Sequence, residues 1–427
     1  MYDGRMFSGI LPAWVEPDPL RARATDALAL QAVADRLADR LLPGLSVLTT
    51  RARYFTFLAW ARGESGRDHD ERQIHRYEVA LVFAEALLSD GDATHADSCQ
   101  FIGSRNVRTL PRNRIPADPR RVYKVPAWRA YRASMVALGL LEGAPRFSLT
   151  DEGSDAAKSF RQAVRPRKGP SSPLPGRACL SEISSTERRQ IRDALGLSIR
   201  GRLDPESTDE RTRRAAFARE VRPIFRSEGL SPEAVLPRYE GRRQPTLPEP
   251  IHTLRTAAVW ERLSVGLNTL FTVWVRAIDA GRQRTVERDL AQLLSRGLPV
   301  TALGSIAMAD EDAALAGGLA SLRLALRLND RLCDVGTQLP DREAFELARV
   351  FINRSRSPRS RVGEGLAMLL ARHQTAKGDD AWVREAGSGQ LEIARDAGEG
   401  WTIPTLVRPH AYRMAAFSRI AHDLRGI

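Results

Sequence analysis

Apolar residues recur at spacings of three and four along most of this chain, the pattern of helices that bury one face. Over residues 20–41, Leu, Ala and Val hold that register until Pro43 and Gly44 end it. Residues 46–61 (SVLTTRARYFTFLAWA) form a second, mostly apolar element. Residues 72–88 (RQIHRYEVALVFAEALL) read as an amphipathic helix stopped by the Asp90-Gly91 turn. Further on, the spacing predicts helices near 128–141, 151–164, 185–195, 208–226, 250–280, 284–296, 308–329, 341–354, 361–374 and 409–424. Residues 146–149 are short and extended, and 382–395 alternate around Gly387-Ser388-Gly389 as a β-hairpin would.

Local chemistry sets several boundaries. Ser184 and Glu187 have capping-box spacing ahead of the helix at 185–195, and Gly196 is placed to end it. Thr150 is a natural N-cap, with Asp151 and Glu152 in the first turn that follows. Residues 163–178 (AVRPRKGPSSPLPGRA) concentrate Pro, Gly, Ser and basic residues and mark a linker. A chain of 427 residues also exceeds one ordinary core. The expected organisation is a helical N-terminal segment (1–61), a winged-helix DNA-binding domain (62–168), a Pro-rich linker (169–178) and a helical domain (179–427) with the hairpin inside it. The fold class is therefore mostly α: a winged-helix (helix-turn-helix) module plus a large C-terminal helical domain with a small β-hairpin.

Charge sharpens this picture at one place. Residues 105–168 hold fifteen Lys or Arg against five acids, ten of the net +13 of the whole chain. A local surplus of this kind is the electrostatic footprint of a site for a polyanion. Within it, 111–126 is a Pro- and Arg-rich loop, 128–141 (WRAYRASMVALGLL) is the candidate recognition helix, and FSLTDEG (147–153) supplies a wing strand and the next helix start. The phrase of short helix, Gly-Leu-Leu, turn and aromatic-x-Leu-Thr-x-x-Gly resembles the winged-helix modules of many bacterial regulators. Met135, Leu138, Leu140 and Leu149 are expected to face the core. Arg129, Arg132 and Arg146 are expected to face DNA. Arg112, Arg114, Arg120, Arg121 and Lys124 before the helix, with Arg165, Arg167 and Lys168 after it, would neutralise phosphates without reading sequence. A winged helix used for protein docking is the competing reading.

No catalytic constellation of known spacing emerges. Asp68-His69-Asp70-Glu71 with His75, His95, Asp97 and Cys99 supplies ligand-type residues but no recognised metal spacing, so no metal and no cofactor are expected. His410, Arg413, His422 and Asp423 on the last helix read as polar surface, and His373, Lys377, Asp379 and Asp380 near 372–382 lack the strand-borne carboxylate spacing of a metal nuclease. The chain contains neither a Walker-type phosphate loop nor a Gly-x-Ser-x-Gly elbow. The three cysteines, Cys99, Cys179 and Cys333, form no disulfide framework or paired zinc spacing, which fits a reduced cytoplasmic setting. The N-terminus does not begin like a signal peptide, and Arg262, Asn268 and Arg276 interrupt the longest apolar run, so no membrane span is expected. Abundant Arg and Ala with scarce Lys fit a GC-rich bacterial source.

Several phrases carry a resemblance across most of the chain: residues 41–60 (LLPGLSVLTTRARYFTFLAW), 76–88 with 101–106 (RYEVALVFAEALL, FIGSRN), 125–141, 179–195 and 265–274. Together they resemble an uncharacterised bacterial family, a domain of unknown function found near DNA-defence genes. The resemblance implies a bacterial protein acting with DNA-handling partners, and it assigns no catalytic residue. Residues 381–393 depart from it. The expected function is non-catalytic double-stranded DNA binding in an anti-phage or anti-plasmid complex, with a helicase or nuclease as protein partner. Exposed Trp or Phe near 260–275 would support such recruitment. The alternatives are a stand-alone winged-helix transcriptional regulator and a nuclease effector with its active site in the C-terminal domain.

Overall fold

The computed structural model describes residues 26–66, 71–89, 122, 125–164, 183–204, 207, 209–227, 229–240, 249–296, 302–333, 341–378, 381–385, 390–394 and 404–425. In chain order the helices are α1 (Gln31–Leu41), α2 (Arg53–Glu64), α3 (Glu71–Ser89), α4 (Ala127–Ala137), α5 (Asp151–Ala163), α6 (Ser185–Leu195), α7 (Glu210–Ser227) and the short α8 (Pro232–Val235). A 3-10 turn (Leu236–Tyr239) precedes α9 (Glu249–Asp279) and α10 (Gln283–Ser295). After strand β1 (Ile306–Ala307) come α11 (Glu311–Cys333), α12 (Arg342–Ile352), α13 (Pro358–Lys377), strands β2 (Val383–Glu385), β3 (Leu391–Ile393) and β4 (Leu406–Val407), and finally α14 (Met414–Asp423). The mostly α expectation holds, and β2 and β3 form the anticipated antiparallel hairpin, with Val383 opposite Ile393. The antiparallel pair of β1 with β4, which joins Ile306 to Val407, has no signal in the local pattern.

The chain divides into two compact units. Leu41–Leu230 and Arg413–Ile427 belong to the first, and Pro17–Arg40 and Ser231–Tyr412 to the second.

The first unit is built around α2, in which every residue from Arg53 to Arg62 is buried. A helix enclosed on all sides needs a hydrophobic surface all round, and RYFTFLAWA provides it. Trp60 lies 4.8 Å from Tyr77 and 5.4 Å from Phe160, and Tyr54 and Phe55 lie 5.0 and 5.2 Å from Tyr131. A charged group buried on α2 is costly unless it finds a protein partner. Arg53 does so in Glu187, with Nε to Oε1 at 3.2 Å, while its guanidinium stands 5.3 Å from the Phe160 ring centre. Glu187 is fully buried. It completes the α6 capping box with Ser184 and also accepts from the Thr56 hydroxyl at 2.9 Å. The capping box read from sequence is thus also a tertiary ion-pair site. Asp423 of α14 accepts from Arg51 Nε and from the Ala52 backbone N–H, at 3.0 and 2.9 Å.

The second unit is organised by α9, which packs chiefly on α11. They meet tightly at glycine: a Cβ on Gly266 would sit 2.6 Å from Leu322 Cδ2 and 2.9 Å from the Gly318 carbonyl oxygen. Two adjacent buried charges on α9 are matched, Arg262 to Glu240 at 2.7 Å and Glu261 to three donors from the chain after β4. Those donors are the His410 backbone N–H, the His410 ring Nδ1 and the Tyr412 hydroxyl, at 2.8, 2.7 and 2.6 Å. Burial depresses the His410 imidazole, but the Glu261 carboxylate outweighs it and the net shift is upward.

His373 of α13 is fully buried beside Phe271 and Trp382. The Trp382 backbone N–H donates to its Nε2 at 2.8 Å. Nδ1, 2.9 Å from the Ala27 carbonyl, must therefore carry the proton of a neutral ring. Next to it, Arg372 binds the Leu28 carbonyl at 2.8 Å and Asp341 at 2.6 Å.

Glu187→Ala strands the buried Arg53 guanidinium and removes the α6 cap, so it should destabilise the first unit by about 3 kcal/mol or more. Urea denaturation followed by tryptophan fluorescence measures this. Burial pulls the His373 pKa from 6.5 down to about 4. The unfolded chain then binds more protons than the folded one between those values, so the stabilisation is complete above about pH 6.5 and declines as pH falls through about 4. Full loss amounts to about 3 kcal/mol, and the acid slope of the unfolding midpoint should flatten in His373→Gln.

Candidate nucleic-acid interface

The basic stretch contains a described core, α4, the turn at 142–148 and α5. The start of α4 has no cap of its own, because Pro126 occupies the N-cap and offers no side-chain acceptor. Glu78 of α3 fills the role: its carboxylate accepts from the backbone N–H groups of Ala127 and Trp128 at 3.1 and 2.5 Å. A buried carboxylate there satisfies two orphan donors and complements the helix dipole. The inner face of α4 carries Trp128, Tyr131 and Met135 into the core. The Tyr131 hydroxyl accepts from the Arg51 N–H at 2.8 Å, and burial holds that phenol well above its ordinary range. Arg129 projects from the opposite, exposed face.

The helix ends sooner than the expected 141. Gly139 takes a left-handed conformation at φ 72°, and the Leu140 N–H reaches back to the Met135 carbonyl at 2.8 Å. Leu141 and Leu149 then form an antiparallel bridge, and the Glu142 N–H donates to Ser148 O at 2.9 Å. Thr150 caps α5 as anticipated, accepting from the Gly153 N–H at 3.0 Å and donating to Gly139 O at 2.6 Å. Gly153 has a steric reason: a Cβ there would lie 1.9 Å from the Leu140 carbonyl oxygen. Met135, Leu138 and Leu140 are buried as expected, and Leu149 is half-buried.

Two arginines fix the turn. Arg62, buried at the end of α2, binds the carbonyls of Phe147 at 3.0 Å, Gly66 at 3.2 Å and Arg146 at 3.4 Å. Arg132 pairs with Glu71 at 2.8 Å and stands 4.5 Å from the Phe147 ring centre, so it joins the start of α3 to the turn. Arg146, whose carbonyl is held by Arg62, is exposed. Of the sequence-derived site residues, Arg129, Arg132 and Arg146 therefore share this helix and turn. Arg112, Arg114, Arg120, Arg121, Lys124, Arg165, Arg167 and Lys168 lie outside the described residues. Arg62, Glu71 and Glu78 had no sequence signal as parts of this assembly, because each acts on a partner about fifty or more positions away.

Several of the other candidate groups have partners in the fold. Glu71 takes Arg132, His373 and His410 are held as described above, Asp423 binds Arg51, and the Lys377 ammonium stands 5.3 Å from the Trp382 ring centre. Asp68, His69, Asp70, His95, Asp97, Cys99, Asp379 and Asp380 lie outside the described residues. Among the described residues no group of three or more His, Cys, Asp or Glu could hold a metal ion, and no helix is long and apolar enough to cross a membrane. Trp260, Phe271 and Trp274 are all buried, contrary to the exposed aromatic surface that partner recruitment through 260–275 would use. They fill the α9 core instead.

Gly153→Ala forces the start of α5 away from Leu140, and strain of this kind typically costs about 1–3 kcal/mol. Thermal denaturation should show that loss, whereas Gly143→Ala, in open space, should leave the midpoint unchanged. Among known proteins, the model of a family of unknown function (DUF6361) matches residues 19–113. No curated protein and no solved structure matches the chain.

Proposed function

We propose that this chain is a non-catalytic double-stranded DNA-binding protein in which α4, the turn at 142–148 and α5 act as a winged helix. The observation that carries the reading is that this helix-turn-helix segment, itself near neutral, lies within residues 105–168, which hold ten net positive charges. In this reading α4 enters the major groove and presents Arg129, while the turn is the wing and presents Arg146 to the neighbouring backbone. Arg132, paired with Glu71, sets the wing against α4. The flanking Arg112, Arg114, Arg120, Arg121, Lys124, Arg165, Arg167 and Lys168 contribute contacts to phosphates. The partners found for His373, His410 and Asp423 favour structural over catalytic roles. The resemblance to a family found near DNA-defence genes favours a place in a bacterial anti-phage or anti-plasmid complex, with a helicase or nuclease supplying the chemistry.

With about six phosphate contacts, the logarithm of affinity for a DNA duplex should fall against the logarithm of salt with a slope near about −5. Arg129→Glu with Arg146→Glu should weaken binding and bring the slope about 2 closer to zero. Fluorescence anisotropy across a salt series measures both. A wild-type slope near zero, or no binding to any duplex, rejects the reading.

A further inference from the structure

The connection from α12 to α13 carries charge that the second unit does not neutralise. Four arginines fall within residues 353–361 (NRSRSPRSR) and no acid accompanies them. Two are used by the fold: Arg361 is buried and reaches the carbonyls of Phe351 and Leu294, both at 3.4 Å, and Arg356 pairs with Glu364. Arg354 and Arg359 are exposed, and among the described residues no carboxylate lies within ion-pair distance of either.

More positive charge surrounds this turn. Arg323 and Arg327 stand one helical turn apart on α11, also without a carboxylate partner among the described residues. Arg323 is depressed by burial and then by the nearby charges of Arg327 and Arg354. Arg361 is likewise depressed, by burial and then by Arg354. On the other side, a groove of about 1000 Å³ is lined by Arg284 and Arg288 of α10 and by Ser357, Pro358 and Arg359 at the start of α13. Its acids are Glu287, which accepts from Gln283 at 2.8 Å, and Glu385, while Asp289 lies 3.6 Å from Arg288. The N-terminus of the twenty-residue α13 adds the positive end of its dipole.

Guanidinium groups gathered with few counter-charges repel one another, and a chain of phosphates is the ligand that offsets this over an extended, shallow surface. We propose that the α12–α13 turn, with Arg323, Arg327, Arg354 and Arg359 and the groove arginines Arg284 and Arg288, is a second phosphate-contacting surface that holds the backbone of nucleic acid. It lies in the unit that does not contain α4 and α5, and it stands on different residues from the reading above.

The test uses the full chain, a labelled DNA duplex, and the pairs Arg354→Gln/Arg359→Gln and Arg323→Gln/Arg327→Gln beside Arg129→Glu/Arg146→Glu. Each glutamine pair should lower affinity roughly tenfold at about 0.1 M salt and bring the salt slope about 2 closer to zero. Its melting temperature should equal or exceed that of the wild type, because repulsion is relieved and no carboxylate loses a partner. Unchanged affinity and slope in both glutamine pairs overturns the inference, and so does a lowered melting temperature, which would mark these arginines as structural. Pyrophosphate that raises the melting temperature of the wild type but not of the pairs, while duplex binding is unaffected by them, assigns the surface to a small phosphate compound and also overturns it. If only Arg129→Glu/Arg146→Glu weakens binding, the winged-helix reading survives alone. If only the glutamine pairs do, this inference survives alone.

Discussion

Complete burial of α2 is the constraint on which the first unit depends. A helix without a wet face cannot leave a guanidinium to solvent, so Arg53 and Arg62 each require a protein acceptor. Those acceptors determine what sits at the two ends of α2. At one end, Arg53 and Thr56 converge on Glu187 and bring in the start of α6. At the other, Arg62 collects carbonyls from the turn between α4 and α5. The aromatic side chains between them supply the burial energy, and the polar ends supply the register. The proposed DNA-facing turn is thereby tied to the most enclosed element of its unit.

The second unit solves the same problem with carboxylates. Glu261 on α9 receives three donors from a segment about 150 residues further along the chain, and Glu240 takes Arg262. Where glycine replaces side chains, at Gly266 and Gly318, α9 and α11 approach closely enough for Leu322 to fill the space. Beside these matched charges, Arg323, Arg327, Arg354 and Arg359 around the α12–α13 turn stand out because no carboxylate among the described residues pairs with them. Charge that a protein leaves uncompensated at a surface is available to a ligand.

What could be read from sequence was local. The capping box at Ser184 and Glu187, the Thr150 cap, the stop at Gly196 and the β2–β3 hairpin each arise from residues within about ten positions of one another, where spacing is itself the geometry. The same residues also hid their second roles. Nothing in the capping box announces that Glu187 neutralises Arg53, 134 positions away, and nothing in a helix containing Glu78 announces that it caps α4. The β1–β4 pair was silent because two-residue strands have no period to detect. His410 was read as surface because a histidine on a helical pattern looks polar, whereas Glu261 holds it half-buried; the full burial of His373 had no local signal. The charge surplus was legible as a quantity, but which of its members are exposed and which are tied up was not: Arg129 and Arg132 are three positions apart and differ in this respect.

Arg62 grips the turn at 142–148 through peptide oxygens, at residues 146 and 147, and not through any side chain of the turn. Its hold is therefore indifferent to which amino acids the tip displays. Substitution at Arg146 can alter what the tip presents without loosening its anchorage, so the scaffold separates the placement of a contact from its chemical identity and leaves the latter open to retuning.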